Sequence, residues 1–198
     1  MDADAATCPS GRVALGDGSH GGGRARGGAI HPAIGRRRLL MTVRAWRIVK
    51  RERSSTAFSG AGAKRSGGRW NSPGTSMIYT AGSAALAMLE LLVHLQAPEL
   101  LKGYVLFEVS FAERLMRTLS LRTLPRNWRN PVPPRSLPRI GDAWIQEQTS
   151  AILEVPSAIV PGESNFLLNP LHPDFGGISI GARTPVRFDP RLVKRSTQ

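Results

Sequence analysis

Residues 67–90, GGRWNSPGTSMIYTAGSAALAMLE, decide how this chain reads. Arg69 stands between glycine-marked turns, and residues 77–80 form a short strand-like run that carries Tyr79. Ser83 then offers a side-chain oxygen to cap a helix that runs to about Leu95 and ends near Pro98. The helical residues AALAMLELLVHL are apolar around nearly the whole circumference, the mark of a helix buried on most sides. Glu90 is the one acid in that run, and helical spacing sets it beside Leu86, Ala87, Val93 and His94. A carboxylate so placed must be neutral, paired with a cation, or turned toward a cleft. A structural ion pair and a catalytic carboxylate are both consistent with the helix taken alone.

Working outward, residues 43–49 and 104–111 read as strands, the second alternating apolar and polar positions. Residues 58–68 read as a glycine-rich loop, and the proline-dense 124–138 as an irregular surface loop. A short helix over 142–153 and strands over 155–160 and 186–189 complete the pattern. These elements predict an α+β fold: a single compact domain with a central mixed or split β-sheet and flanking helices. In GAGAKRSGG, residues 60–68, Gly62 and Gly67 have P-loop spacing, but Gly68 stands where the lysine is needed. The dinucleotide fingerprint fails as well, since no glycine follows three residues after Gly62.

Composition bounds the rest. The chain has 198 residues, 41% of them hydrophobic, enough for one domain with a core. No run approaches the roughly 20 apolar residues of a membrane-spanning helix. Residues 1–40 are dominated by Gly, Ala and Arg and predict a disordered leader or a misassigned start, with the globular domain over 41–198. Arg36, Arg37 and Arg38 look like the start of a twin-arginine export signal, but Thr42, Arg44 and Arg47 interrupt the apolar run that should follow. Six arginines against three aspartates give the leader +3, so residues 41–198 carry +10 of the chain's net charge of +13. Cys8 is the sole cysteine and lies in the leader, and His94 and His172 are the only histidines outside it, so no metal site is expected.

A last informative stretch is VPSAIVPGESNFLLNPLHPD, residues 155–174. Its short polar side chains, Ser157, Ser164, Asn165 and Asn169, sit among prolines and apolar residues. They read either as a wall presenting hydroxyl and amide groups or as turn stabilisers, which is their commoner use. An arginine, an aromatic ring and a carboxylate in an apolar helix together suit a substrate with phosphates, a flat ring and a carbon that becomes positive during reaction. A nicotinamide dinucleotide is such a substrate.

The blocks FSGAGAKRSGGRWNSPG, MIYTAGSAALAMLELLVHL, LPRNWR, GDAW, VPSAIVPGESNFLLNPLHPD and FDPRL occur in an order that resembles the RES-domain family, over about residues 42–192. The resemblance implies an ADP-ribosyltransferase-like fold and the toxin of a bacterial toxin–antitoxin pair, which consumes NAD in the cytoplasm. It implies catalytic roles for Arg69, Tyr79 and Glu90, and substrate contacts from Ser157, Arg47, Asn71 and Asn169. NAD is then the substrate, with no separate cofactor and with water or inorganic phosphate as acceptor. The implied partners are a cognate antitoxin and, in a homodimer or toxin–antitoxin hetero-oligomer, further chains. Two alternatives stand beside it. One is transfer of ADP-ribose to a macromolecule with the same residues. The other, resting on the +13 charge, is a nucleic-acid-binding or RNA-cleaving module, against which stand the 6% aromatic content and the few histidines. Deleting residues 1–40 is expected to leave the melting temperature and NAD consumption of the protein unchanged, as thermal unfolding and an NAD assay would show.

Overall fold

The computed structural model describes residues 41–95 and 102–192; the expected leader over 1–40 lies outside them. Eight strands form one sheet in the order β4-β5-β6-β2-β1-β3-β7, with β8 also paired to β3. They are β1 (Thr42–Lys50), β2 (Ile78–Ala81), β3 (Tyr104–Ala112), β4 (Met116–Thr118), β5 (Ile152–Pro156), β6 (Ser164–Leu168), β7 (Ser179–Ile180) and β8 (Thr184–Val186). The helices are α1 (Ala61–Ser66), α2 (Ala84–Leu92) and α3 (Ser136–Glu147). The fold is α+β, as the periodicities predict. Only β4 and β5 pair in parallel; every other pair is antiparallel.

The sheet is split. β1 and β3 pair along their whole length, from Thr42↔Ala112 to Lys50↔Tyr104, and β6 pairs fully with both β2 and β5. Between these two halves, β1 and β2 share the single register point Trp46↔Ala81. One hydrophobic cluster still spans the junction, with Ala45, Val109 and Phe111 from one half against Ile78, Ile152, Phe166 and Leu168 from the other. A second cluster seats α3 (Leu137, Trp144, Ile145) on Leu153, Val155 and Leu167, with Trp70 and Met77 beside them. A third seats α2 (Leu86, Ala87) on Ala81, with Trp46 and Ile48 packed against it.

Several boundaries differ from the sequence reading. The expected loop over 58–68 contains α1, because its alanines favour helix while Gly60 and Gly67, at φ 73° and 69°, turn the chain in and out in the left-handed region. The expected irregular loop ends at Arg135: Pro138 falls in the first turn of α3, where its missing N–H costs nothing. α3 therefore begins six residues before the expected 142, and the following strand begins at Ile152 instead of 155. The closing strand is Thr184–Val186, earlier than the expected 186–189. β4, β6 and β7 have no counterpart in the sequence reading.

The GDAW block braces the centre. Gly141 lies against the carbonyl of Trp70, so close that a Cβ there would collide with backbone. Asp142 Oδ1 accepts the Ser72 N–H at 2.9 Å, and Trp144 Nε1 donates to Ser150 Oγ at 2.9 Å. Gly141→Ala must push α3 off the Trp70 turn and is expected to cost about 1–3 kcal/mol or more, lowering Tm by at least several degrees. Urea unfolding checks this; unchanged stability would mean the close approach does not exist in solution.

Candidate active site

A cavity of about 910 Å³ opens where β1 and β2 diverge. Arg47, Arg69, Tyr79 and Glu90 all line it, from four different elements or turns. On β1, period-two alternation puts Arg47 in a row with Val43, Ala45 and Val49, so a guanidinium occupies an otherwise apolar face. Its Nε donates to the Ala57 carbonyl at 2.8 Å and a terminal nitrogen to the Tyr79 carbonyl at 2.6 Å. Burial lowers its pKa to about 10, so it stays charged at neutral pH. Arg47 thus ties β2 to the far side of the split while bordering the cavity.

Arg69 lies on the turn after α1. It donates to the carbonyls of Trp128 and Asn130, at 2.6 and 3.0 Å, and so holds the proline-rich segment 125–134 over the cavity, which Arg129, Pro131 and Pro133 also line. Burial lowers its pKa, while the Glu90 carboxylate and Tyr79 act in the opposite direction. Tyr79 reaches the same turn from β2. Its hydroxyl accepts the Trp70 N–H at 3.1 Å and donates to Asn71 Oδ1 at 2.7 Å. That approach needs Gly68, where a Cβ would strike the hydroxyl. Burial raises the Tyr79 pKa, so the phenol is neutral and its ring, not its proton, is what it offers the cavity.

Glu90 sits on α2, which Ser83 caps by accepting the Leu86 N–H at 3.0 Å, as the sequence predicts. One carboxylate oxygen, Oε1, accepts from Asn165 Nδ2 at 2.6 Å and from Ser157 Oγ at 3.3 Å. Oε2 has no hydrogen-bond partner among the described residues. No ion pair of Glu90 within 4.0 Å occurs among them either. The carboxylate therefore takes the cleft-facing option that the helix left open.

Ser157, Asn71 and Asn169, of which substrate contacts are expected, do not line this cavity. All three are buried and off the cavity wall. Ser157 stands behind Glu90, its Oγ accepting the N–H groups of Ile159 and Val160 at 3.1 Å while donating to the carboxylate. Asn71 Nδ2 reaches the carbonyls of Ala63, Ser72 and Thr75 at 2.9–3.1 Å, knitting α1 to the Arg69 turn. Asn169 Oδ1 accepts the Leu171 N–H at 3.0 Å, after β6. Each binds local backbone, the usual work of these residues in turns, although Asn169 Nδ2 is buried with no partner among the described residues. Asn165, weighed in sequence only as one of several polar residues near a turn, is the one that reaches the cavity.

Comparison with known proteins follows the same outline. The RES domain profile matches residues 44–189. The chain belongs to the RES-domain family. It is 41% identical over 150 residues to "Toxin Res" of Photorhabdus laumondii, covering 75% of this chain and 96% of that protein. It is 39% identical over 161 residues to the "Prs ADP-ribosylating toxin" of Sphingobium sp. (strain YBL2), covering 79% of this chain and 100% of that protein. In fold it is similar to a chain of the M. tuberculosis MbcT–MbcA toxin–antitoxin complex, with a TM-score of 0.60 at 21% identity, covering 77% of this chain and 87% of that one.

In this RES domain, Asp142 holds the Arg69 turn from α3. Burial raises its pKa, but hydrogen bonds from Ser72 and Thr75 outweigh that and the net shift is downward. A carboxyl depressed in the folded state stabilises the protein above its unfolded pKa of about 4 and loses that contribution as pH falls through the folded value. Asp142→Asn is expected to lose about 1 kcal/mol at pH 7, a screened charge-assisted bond. The gap to wild type should narrow as pH falls below about 4, toward the lowered folded pKa, as urea unfolding across that range would show.

Proposed function

We propose that this RES domain is the toxin of a toxin–antitoxin pair and breaks the nicotinamide–ribose bond of NAD. The observation that carries the reading is the arrangement around the cavity: a carboxylate with one free oxygen on α2, facing a rim of arginines and the Tyr79 ring. Support comes also from the names of relatives, since a protein that ADP-ribosylates begins from NAD.

The chemistry asks little acid catalysis. Nicotinamide departs with the electron pair of the broken C–N bond, which neutralises its ring nitrogen. Positive charge is left on the ribose carbon. Glu90 Oε2 would face that charge, and fixed stabilisation of developing charge is commonly the largest catalytic term. The N–H groups of Arg69 and Arg47 that the backbone carbonyls do not take suit pyrophosphate oxygens, and the Tyr79 ring suits the flat base. Water attack gives ADP-ribose and a proton; phosphate attack gives the corresponding ADP-ribose phosphate. No cofactor beyond NAD itself takes part. Transfer to a protein side chain is a second reading, favoured by the similarity to the Prs ADP-ribosylating toxin.

NAD loss in the cytoplasm would halt the growth of the host, so the toxin needs a cognate antitoxin. The solved structure similar in fold comes from a toxin–antitoxin complex. With +10 on residues 41–198, an acidic or carboxylate-ended antitoxin segment would be steered to the cavity that attracts the dinucleotide.

The test is to follow NAD with the purified protein, with and without phosphate, and to identify the products. If water is the acceptor, free nicotinamide and ADP-ribose are expected in both conditions. If phosphate is the acceptor, nicotinamide is expected only with phosphate present, together with ADP-ribose bearing an added phosphate on its anomeric carbon. Glu90→Gln should slow turnover about 100-fold or more. NAD cleavage at the wild-type rate by folded Glu90→Gln would sink the assignment.

A further inference from the structure

We infer that Asn165 is a positioning residue for Glu90: its amide locks the carboxylate so that one chosen oxygen meets the substrate. This rests on the NAD-cleaving reading of the same cavity. The geometry starts from β6, where Asn165 alternates with Phe166: Phe166 enters the hydrophobic core, and Asn165 takes the opposite face, that of the cavity. β6 lies between β2 and β5, with Asn165 in register with Ala81 on one side and Val155 on the other. Its amide is therefore carried by a strand that is paired along both edges. Glu90, by contrast, is the seventh residue of a nine-residue helix.

The last torsion of a glutamate is a broad, nearly two-fold rotor, so burial alone does not decide which oxygen faces where. Here Asn165 Nδ2 and Ser157 Oγ both donate to Oε1, at 2.6 and 3.3 Å. Oε1 is thereby fixed to the protein and Oε2 is the oxygen left for a ligand. A carboxylate only accepts hydrogen bonds, so the N–H end of the amide must face Glu90. The other end carries the cost: Asn165 Oδ1 is buried without a hydrogen-bond partner among the described residues. A buried acceptor without a donor destabilises the fold. An amide retained here is thus poorly explained as a stabiliser, and well explained as a clamp.

The near-isosteric Asn165→Leu separates the two roles, because it removes the clamp and the orphan oxygen together. A clamp predicts that Asn165→Leu keeps or gains thermal stability while kcat falls about 10- to 100-fold, the scale of a misplaced reacting group. KM for NAD should stay within about threefold, since the loss is confined to the reacting geometry. Asn165→Leu combined with Glu90→Gln should be no slower than Glu90→Gln alone, the non-additivity of residues acting through one group. Asn165→Ser, which keeps a donor of shorter reach, should recover part of kcat. Wild-type kcat in Asn165→Leu, alongside an inactive Glu90→Gln, would overturn the inference and leave the NAD reading intact. A loss of stability in Asn165→Leu that accounts for the loss of activity, or additive losses in the double variant, would also overturn it. NAD turnover that survives Glu90→Gln would instead overturn the underlying reading.

Discussion

The site depends on how the gap between β1 and β2 is closed. With one register point between them, the Tyr79 carbonyl on β2 has no strand partner on the β1 side, and the Ala57 carbonyl likewise needs a donor. Buried carbonyls without partners are costly. A single guanidinium reaches both, which no neutral side chain on β1 could do with the same span and donor count. The gap that forces this arrangement is also the cavity, so the residue that completes the sheet is unavoidably part of the wall. Burying a charge is tolerated because Nε and one terminal nitrogen donate to carbonyls, and the lowered pKa of about 10 leaves the charge in place.

Around that gap, most of the polar residues act on one another before they act on any ligand. Tyr79 fixes the Asn71 amide, Asn71 fixes α1, and Asp142 fixes Ser72, so the Arg69 turn is held from β2, α1 and α3 together. Arg69 in turn spends donors on the carbonyls of the proline-rich segment. A functional constellation is accurate only when its supports are rigid, and here the supports come from paired strands and a packed helix. The cations lie on β1 and the turns, the carboxylate on α2, so opposite charges border one cavity without forming a contact pair.

Much of this was legible in the chain itself. Alternation in residues 104–111, the strand-like run 43–49, the Ser83 cap and the single acid of an apolar helix are local patterns, and local patterns follow from short-range side-chain spacing. The boundaries that moved have local causes too: left-handed glycines around α1 and a proline admitted to the first turn of α3. β6 was missed because SNFLL becomes a strand through its neighbours on both edges, which a single segment does not record.

The sequence by itself determined the α+β class and the helix that carries Glu90, because each rests on short-range spacing. Tertiary structure alone decided which polar groups face the cavity and which serve the backbone. Ser157, Asn165 and Asn169 look equivalent in one dimension: each is a short polar side chain in the same turn-rich stretch. Ser157 went behind the carboxylate, Asn169 to a backbone N–H, and Asn165 to the cavity wall. The difference lies in what stands 3 Å from each polar atom, and that is set by strand register and helix docking across tens of residues.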